Sequence, residues 1–156
     1  MASWSEIEVE APELAAEARR LLDAHVHKTI ATLRRDGSPR ISGTEMKFAE
    51  GELWMGSMPR SVKALDLQRE PRFALHSGSE DPPDWTADAK LAGRVEEVDD
   101  PERKSAVYGG DEAPGEYHLF RADVTEVVVT RVGEPPDHLV IESWHAGRGV
   151  TRRGRR

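Results

Sequence analysis

Leu53-Trp54-Met55-Gly56-Ser57-Met58-Pro59-Arg60-Ser61-Val62-Lys63-Ala64-Leu65 is where this sequence concentrates residues able to hold a charged group. A short apolar strand ends in Gly-Ser, the chain turns at a proline, and Arg60, Ser61 and Lys63 reach the first turn of a helix. A helix start carries unpaired backbone N–H groups and the positive end of a dipole, so it favours an anion. Two cationic side chains and a hydroxyl added there turn that preference into a phosphate site. The competing reading is a surface helix with ordinary basic residues, and the flanking sequence has to decide between them.

The other reactive residue types form weaker patterns. His25 and His27 are too close for one helical face and sit at a helix-to-strand joint, which reads as a polar junction. His76 ends a strand and His118 begins one. A histidine at 118 or 145 is placed to reach a cofactor or act as an axial haem ligand, with a structural role standing ahead of either. No His-x-x-x-His or carboxylate pair at helical ligand spacing is present, so no metal is expected. Ser42, Ser57 and Ser61 have no readable His-Asp partnership, which argues against a serine hydrolase.

The elements that must position these residues follow from periodicity. Pro12 to Ala24 reads as an amphipathic helix with Leu14, Ala18, Leu21 and Leu22 on its apolar stripe. From residue 28 the period changes to that of strands. Thr29 to Leu33 is a strand, Asp36-Gly37 is a hairpin signal, and Pro39 to Phe48 returns. Glu50-Gly51 turns again into Glu52 to Ser57. Three antiparallel strands in succession exclude a parallel βαβ fold. The helix of residues 60 to 69 stops before Pro71. Further strands are expected at Arg72 to His76, Ala87 to Val98, Tyr117 to Val132 and His138 to Trp144. Gly93 implies a bulge or close backbone approach. Pro101 to Val107 suggests a short helix, and Gly109 to Gly115 a loop. Six or seven antiparallel strands with short helices give a mainly β fold closed, or nearly closed, into a barrel.

Composition bounds the rest. A chain of 156 residues fits one domain spanning 1–156, with apolar content of 37% and charged content of 33%. There is no cysteine, hence no disulfide framework or thiolate site. The N-terminus lacks a basic region and an apolar run, and nothing approaches the ~20 apolar residues of a membrane helix, so a cytoplasmic address is expected. The net charge is −7, yet Arg148, Arg152, Arg153, Arg155 and Arg156 cluster at the end. Without those five charges the body stands at about −12, which argues against a broad nucleic-acid face. The basic tail, about 148–156, reads as a frayed, solvated terminus.

In order, Ile30-Ala31-Thr32-Leu33-Arg34-Arg35-Asp36-Gly37-Ser38-Pro39-Arg40, Gly51-Glu52-Leu53-Trp54-Met55-Gly56-Ser57, Ser61-Val62-Lys63-Ala64-Leu65 and Glu70-Pro71-Arg72-Phe73-Ala74-Leu75 form a recognisable set. The chain resembles the pyridoxamine 5'-phosphate oxidase-like split β-barrel family of flavin and deazaflavin binders. The resemblance is dense over residues 28 to 76. It implies a homodimer with two cofactor sites at the interface, and a cofactor phosphate held by Ser61 and Lys63 together with Arg60. It further implies that Ser42, Gly43 and Thr44 line an isoalloxazine ring, that Ser57 contacts the ribityl chain or phosphate, and that Trp144 borders the site. Gly43 would let the backbone approach the ring closely. Trp54 reads as core, whereas Trp85 and Trp144 can stack on the flavin or cap the core.

Two departures matter. The oxidase that makes pyridoxal phosphate typically has arginine before the phosphate lysine, where this chain has Val62. Its C-terminal arginine- and tryptophan-containing motif is replaced by Glu142-Ser143-Trp144-His145-Ala146-Gly147-Arg148. Both argue against pyridoxamine-phosphate oxidation. The expectation is an FMN-binding oxidoreductase acting on a small organic substrate. One alternative keeps the fold but takes the deazaflavin coenzyme F-420, with Arg34, Arg35 or Arg40 supplying a groove for its acidic tail. Another is a flavin- or haem-binding sensor or carrier without turnover.

Overall fold

Strand-period residues dominate this chain, and eight strands result: β1 (Lys28–Leu33), β2 (Pro39–Ala49), β3 (Glu52–Ser57), β4 (Arg72–His76), β5 (Ala87–Glu97), β6 (His118–Val132), β7 (Leu139–His145) and β8 (Gly149–Arg155). Four helices accompany them: α1 (Trp4–Glu10), α2 (Pro12–Asp23), α3 (Val62–Arg69) and α4 (Pro101–Tyr108). The computed structural model describes residues 2–108 and 116–156, so the loop expected at 109–115 lies outside the described residues.

The strands form one antiparallel sheet in the order β3-β2-β1-β4-β5-β6-β7-β8. A further pairing of β3 with β6, Ser57 opposite His118 and Trp54 opposite Arg121, closes the first six into a barrel. The mainly β split-barrel expectation therefore holds. Strands β7 and β8 continue from β6 outside the closure.

Two terminal features depart from expectation. A helix, α1, precedes the expected one, opened by a capping box in which Ser3 and Glu6 satisfy each other's backbone N–H. Its buried faces, Trp4 and Ile7, join the core, and the Trp4 ring lies 4.8 Å from that of Phe48. The tail read as frayed is instead β8, paired with β7 along its length. Gly147 and Gly149 take φ of 78° and 71° in the connecting turn, a conformation that lets the chain reverse tightly. Glu142 of β7 then meets Arg152 at 3.7 Å and Arg131 at 2.7 Å, so part of the basic charge is neutralised by the neighbouring strands.

Leu14, Ala15, Ala18, Leu21 and Leu22 of α2 bury their stripe against β5 and β6. Strand β3 is buried on both faces. Leu53 and Met55 enter the main core, while Trp54 turns the other way beneath α4, with Val107 and Leu119. Gly93 marks the expected bulge: the β5–β6 register shifts between Ala92 and Gly93, and a Cβ at 93 would sit 2.1 Å from the Asp123 carbonyl oxygen. These two strands can cross so closely only without a side chain there.

Helix α3 connects β3 to β4 across the barrel, with Ala64, Asp66 and Leu67 buried. Asp66 fixes its position. The carboxylate accepts from Thr32 Oγ1 at 2.7 Å, from Arg40 Nε at 2.7 Å and from Arg69 Nη2 at 3.1 Å. Burial pushes the Asp66 pKa up, but the hydrogen bonds from Arg40, Thr32 and Arg69 outweigh it and hold the carboxyl below its ordinary value.

Candidate functional site

Ser61 is the N-cap of α3: its Oγ accepts the Ala64 N–H at 3.3 Å and its carbonyl takes the Leu65 N–H. The Ser61 N–H is spent on the Met58 carbonyl. Among the described residues the N–H groups of Val62 and Lys63 find no acceptor, the ordinary state of a first helical turn. Ser57, the last residue of β3, is buried, and its hydroxyl shares a short 2.5 Å hydrogen bond with the Ser61 hydroxyl. Whichever serine donates, the hydrogen of the other remains free for an outside acceptor.

Lys63 reaches from the helix start to β2, where its Nζ donates to the Gly43 carbonyl at 2.6 Å. Burial pushes the Lys63 ammonium pKa down, and the charge of Glu45 partly offsets this. One ammonium thus spans the helix start and the segment Ser42-Gly43-Thr44, leaving further donors for an anion. A Cβ at Gly43 would meet nothing within 4 Å, so the outer face of β2 is open at that point.

The arrangement corrects three sequence expectations. Arg60 does not lie in the first turn but precedes the N-cap, with φ of 59°, and its side chain is exposed with no acidic partner among the described residues. Thr44 is buried on the inner face beside Lys28, opposite it in the register, so it turns away from the open side. Trp144 does not join the others: it is 1% exposed on β7, outside the barrel closure, and its Nε1 donates to Glu10 at 2.9 Å. An indole prefers burial once its N–H has an acceptor, and Glu10 of α1 supplies one. Ser42 is half-buried. The hydroxyl pair Ser57–Ser61 and the contact of Lys63 with the Gly43 carbonyl both belong to this helix start, and the Arg60 side chain is exposed just before it.

These groups are of the kinds a phosphate monoester accepts from: helix N–H groups, a free hydroxyl hydrogen and a cation at one helix start, with no carboxylate bonded to any of them among the described residues. The sequence model of the pyridoxamine 5'-phosphate oxidase family matches residues 14–133, which include every one of these groups.

The chain belongs to the pyridoxamine 5'-phosphate oxidase family.

Solved structures share the fold. A conserved hypothetical protein from Mycobacterium tuberculosis is 23% identical, with a TM-score of 0.63 over 72% of this chain and 81% of that one. A pyridoxamine 5'-phosphate oxidase-related, FMN-binding protein from Nostoc punctiforme is 16% identical, with a TM-score of 0.62 over 96% of each chain. ChuZ from Campylobacter jejuni is 14% identical, with a TM-score of 0.68 over 90% of this chain and 62% of that one. No curated protein matches the chain.

Within this oxidase-family barrel, other expected groups are already engaged. Arg40 is tied to Asp66, and Arg34 donates to the Pro39 carbonyl at 2.7 Å. Of the three arginines expected to form an acidic-tail groove, Arg40 is therefore paired with a buried carboxylate, while Arg34 is exposed and among the described residues bonds only neutral groups of its own turn. Both ring nitrogens of His118 are occupied: Nε2 accepts the Arg60 N–H at 3.1 Å, and Nδ1 lies 2.6 Å from Glu97 Oε1. His145 Nε2 pairs with Glu126 at 3.2 Å. No group of three His, Asp or Glu side chains able to hold a metal ion occurs among the described residues. None of their helices is long and apolar enough to cross a membrane.

Two participants escape a reading of the sequence. Asp66 carries no distinguishing signal beyond a carboxylate between Leu65 and Leu67, and its partner Arg40 resembles a ligand-groove residue. His118 looks only like a potential ligand, because nothing local links it to a turn 58 residues earlier.

Proposed function

We propose that the chain is an FMN-binding oxidoreductase that works as a homodimer on a small organic substrate. The observation that carries this reading is the reach of Lys63 Nζ to the Gly43 carbonyl at 2.6 Å, which joins an anion-favouring helix start to an open stretch of β2. The phosphate would rest on the Val62 and Lys63 N–H groups, the free serine hydrogen and the Lys63 ammonium. The β2 backbone at Ser42 and Gly43 would hold the ring edge. Bound FMN supplies hydride chemistry, and the protein's part is to orient it and exclude water. The FMN-binding protein of the same fold from Nostoc punctiforme supports the cofactor choice.

Dimerisation is supported by the surface around the clamp. Ile41, Met58, Val62 and Leu65 are exposed there, from 46% for Leu65 to 78% for Met58. Apolar side chains grouped beside a half-open site suit a second copy that completes it. Val62 presents methyl groups where a second guanidinium would stand, so pyridoxamine-phosphate oxidation is not part of this reading. Coenzyme F-420 could use the same clamp, with Arg34 and Arg35 left for its acidic tail because Arg40 is paired with Asp66.

Absorption of the purified protein, followed by mass spectrometry of the released ligand, distinguishes FMN from deazaflavin and haem. A Soret band would overturn the proposal. The clamp is tested by Lys63→Ala with two ligands. Hydrogen bonds to a charged group contribute roughly 1.5–3 kcal/mol each, so FMN affinity should fall about 10- to 100-fold. Riboflavin, which lacks the phosphate, should bind both proteins about equally. Equal losses for the two ligands would mean that Lys63 supports structure and not the phosphate.

A further inference from the structure

The turn that presents the clamp is closed by the Ser61 N–H on the Met58 carbonyl, and one further contact ties it to the barrel. Arg60 holds φ of 59°, a left-handed conformation that a residue with a side chain adopts only when its surroundings hold it there. Its N–H is not bonded within the turn. It donates to Nε2 of His118, on the strand paired with β3, at 3.1 Å. His118 begins β6 and stands opposite Ser57 in the β3–β6 register, so the acceptor belongs to the rigid barrel and not to the connection.

The imidazole is itself held on two sides. Because the Arg60 amide can only donate, Nε2 must be bare and the ring proton must sit on Nδ1, which donates to Glu97 Oε1 at 2.6 Å. Gln68 of α3 donates to the other Glu97 oxygen at 2.8 Å, and the ring stacks over Phe120 with 17° between planes and 6.0 Å between centroids. Glu97 lies at the end of β5 and Gln68 on α3. The imidazole therefore gathers β5, β6 and the helix around one backbone N–H.

We propose that His118, oriented by Glu97, is a positioning residue for the anion-binding turn. By accepting the Arg60 N–H it fixes the turn, so that Ser57, Ser61 and the first amides of α3 face one phosphate. The inference rests on the phosphate-clamp reading above and adds a residue that does not touch the ligand.

The test uses the full-length apoprotein titrated with FMN and with riboflavin. His118→Leu keeps the bulk over Phe120 but removes the acceptor, and His118→Gln restores an acceptor near the position of Nε2. For His118→Leu, FMN binding should weaken about tenfold, the effect of losing roughly one well-placed hydrogen bond to the anion, while riboflavin changes less than about twofold. His118→Gln should recover most of the FMN loss. Nitrogen-15 spectra of the unliganded wild-type protein should show the Nδ1–H tautomer, with the Arg60 amide protected from exchange. An Nε2–H tautomer, equal losses of FMN and riboflavin, or no recovery with glutamine would each overturn the inference. Lys63→Ala separates the two levels. If it discriminates between the ligands while His118→Leu does not, only the His118 role falls. If Lys63→Ala fails to discriminate, the clamp falls and this role with it.

Discussion

Asp66 is 3% exposed, yet three donors from β1, β2 and its own helix converge on it. A carboxylate in that setting fixes the angle at which α3 crosses the barrel, and so where Lys63 and Ser61 point. Replacing it by asparagine would leave Arg40 and Arg69 without their counter-charge. The expected loss is roughly 2–4 kcal/mol, moderated because both guanidinium groups keep access to water. The direction with pH follows from its lowered pKa. The contribution is fully present above the unfolded value near 4 and disappears as pH falls through the folded value. Urea unfolding should therefore separate wild type from Asp66→Asn widely at pH 7 and much less near pH 2. A gap that stays constant would show that the ion pairs contribute little.

Bulges, caps and turns decide how well each strand or helix can be read in advance. Gly93 is legible because a lone glycine in a β-rich run marks a place where a side chain cannot fit. Its cost can be measured: Gly93→Ala drives a methyl group to 2.1 Å from a carbonyl oxygen that the β5–β6 ladder holds in place. A loss of about 3 kcal/mol is expected, the upper end for overpacking, read as a lowered midpoint of thermal unfolding. Strands β3 and β4 have the boundaries expected, since the Glu50-Gly51 turn and Pro71 mark where they begin. Helix α1 has a local signal too, because Ser3-Trp4-Ser5-Glu6 is a capping-box pattern, but it is masked by a short and largely polar terminus. β8 is hidden by composition. Arg152, Arg153, Arg155 and Arg156 look like a solvated tail, and only the partner strand shows where their backbone goes. Ser61 and Lys63 are readable as a helix start because they are neighbours in sequence. The acceptor at His118 and the anchor at Arg40 are not, because the fold alone brings them near α3.

The molecule carries an apolar collar around its candidate site and a net charge of −7. If that collar is where two copies meet, Leu65→Glu should convert the dimer to a folded monomer at micromolar concentration, since Leu65 is half in solvent already within one copy. Light scattering checks this directly, and an unchanged mass would remove the collar from the interface. At the opposite end of the sheet, closure by β3 and β6 leaves one strand with a bare side among the described residues. That strand is β8, where Arg152, Arg153 and Arg155 line a row of unpaired backbone groups. Such a row is a template on which another chain can add itself strand to strand, and clustered like charges are a common defence against it. The arginines thus act as a guard rail for the sheet. Cutting the chain after Arg148 would remove the guard and bare β7 at Leu139-Val140-Ile141, an apolar run of high strand preference. The six-stranded barrel should still close in that truncated protein, but it should clump on standing, with turbidity and dye-binding fibrils appearing at concentrations where the full chain stays clear.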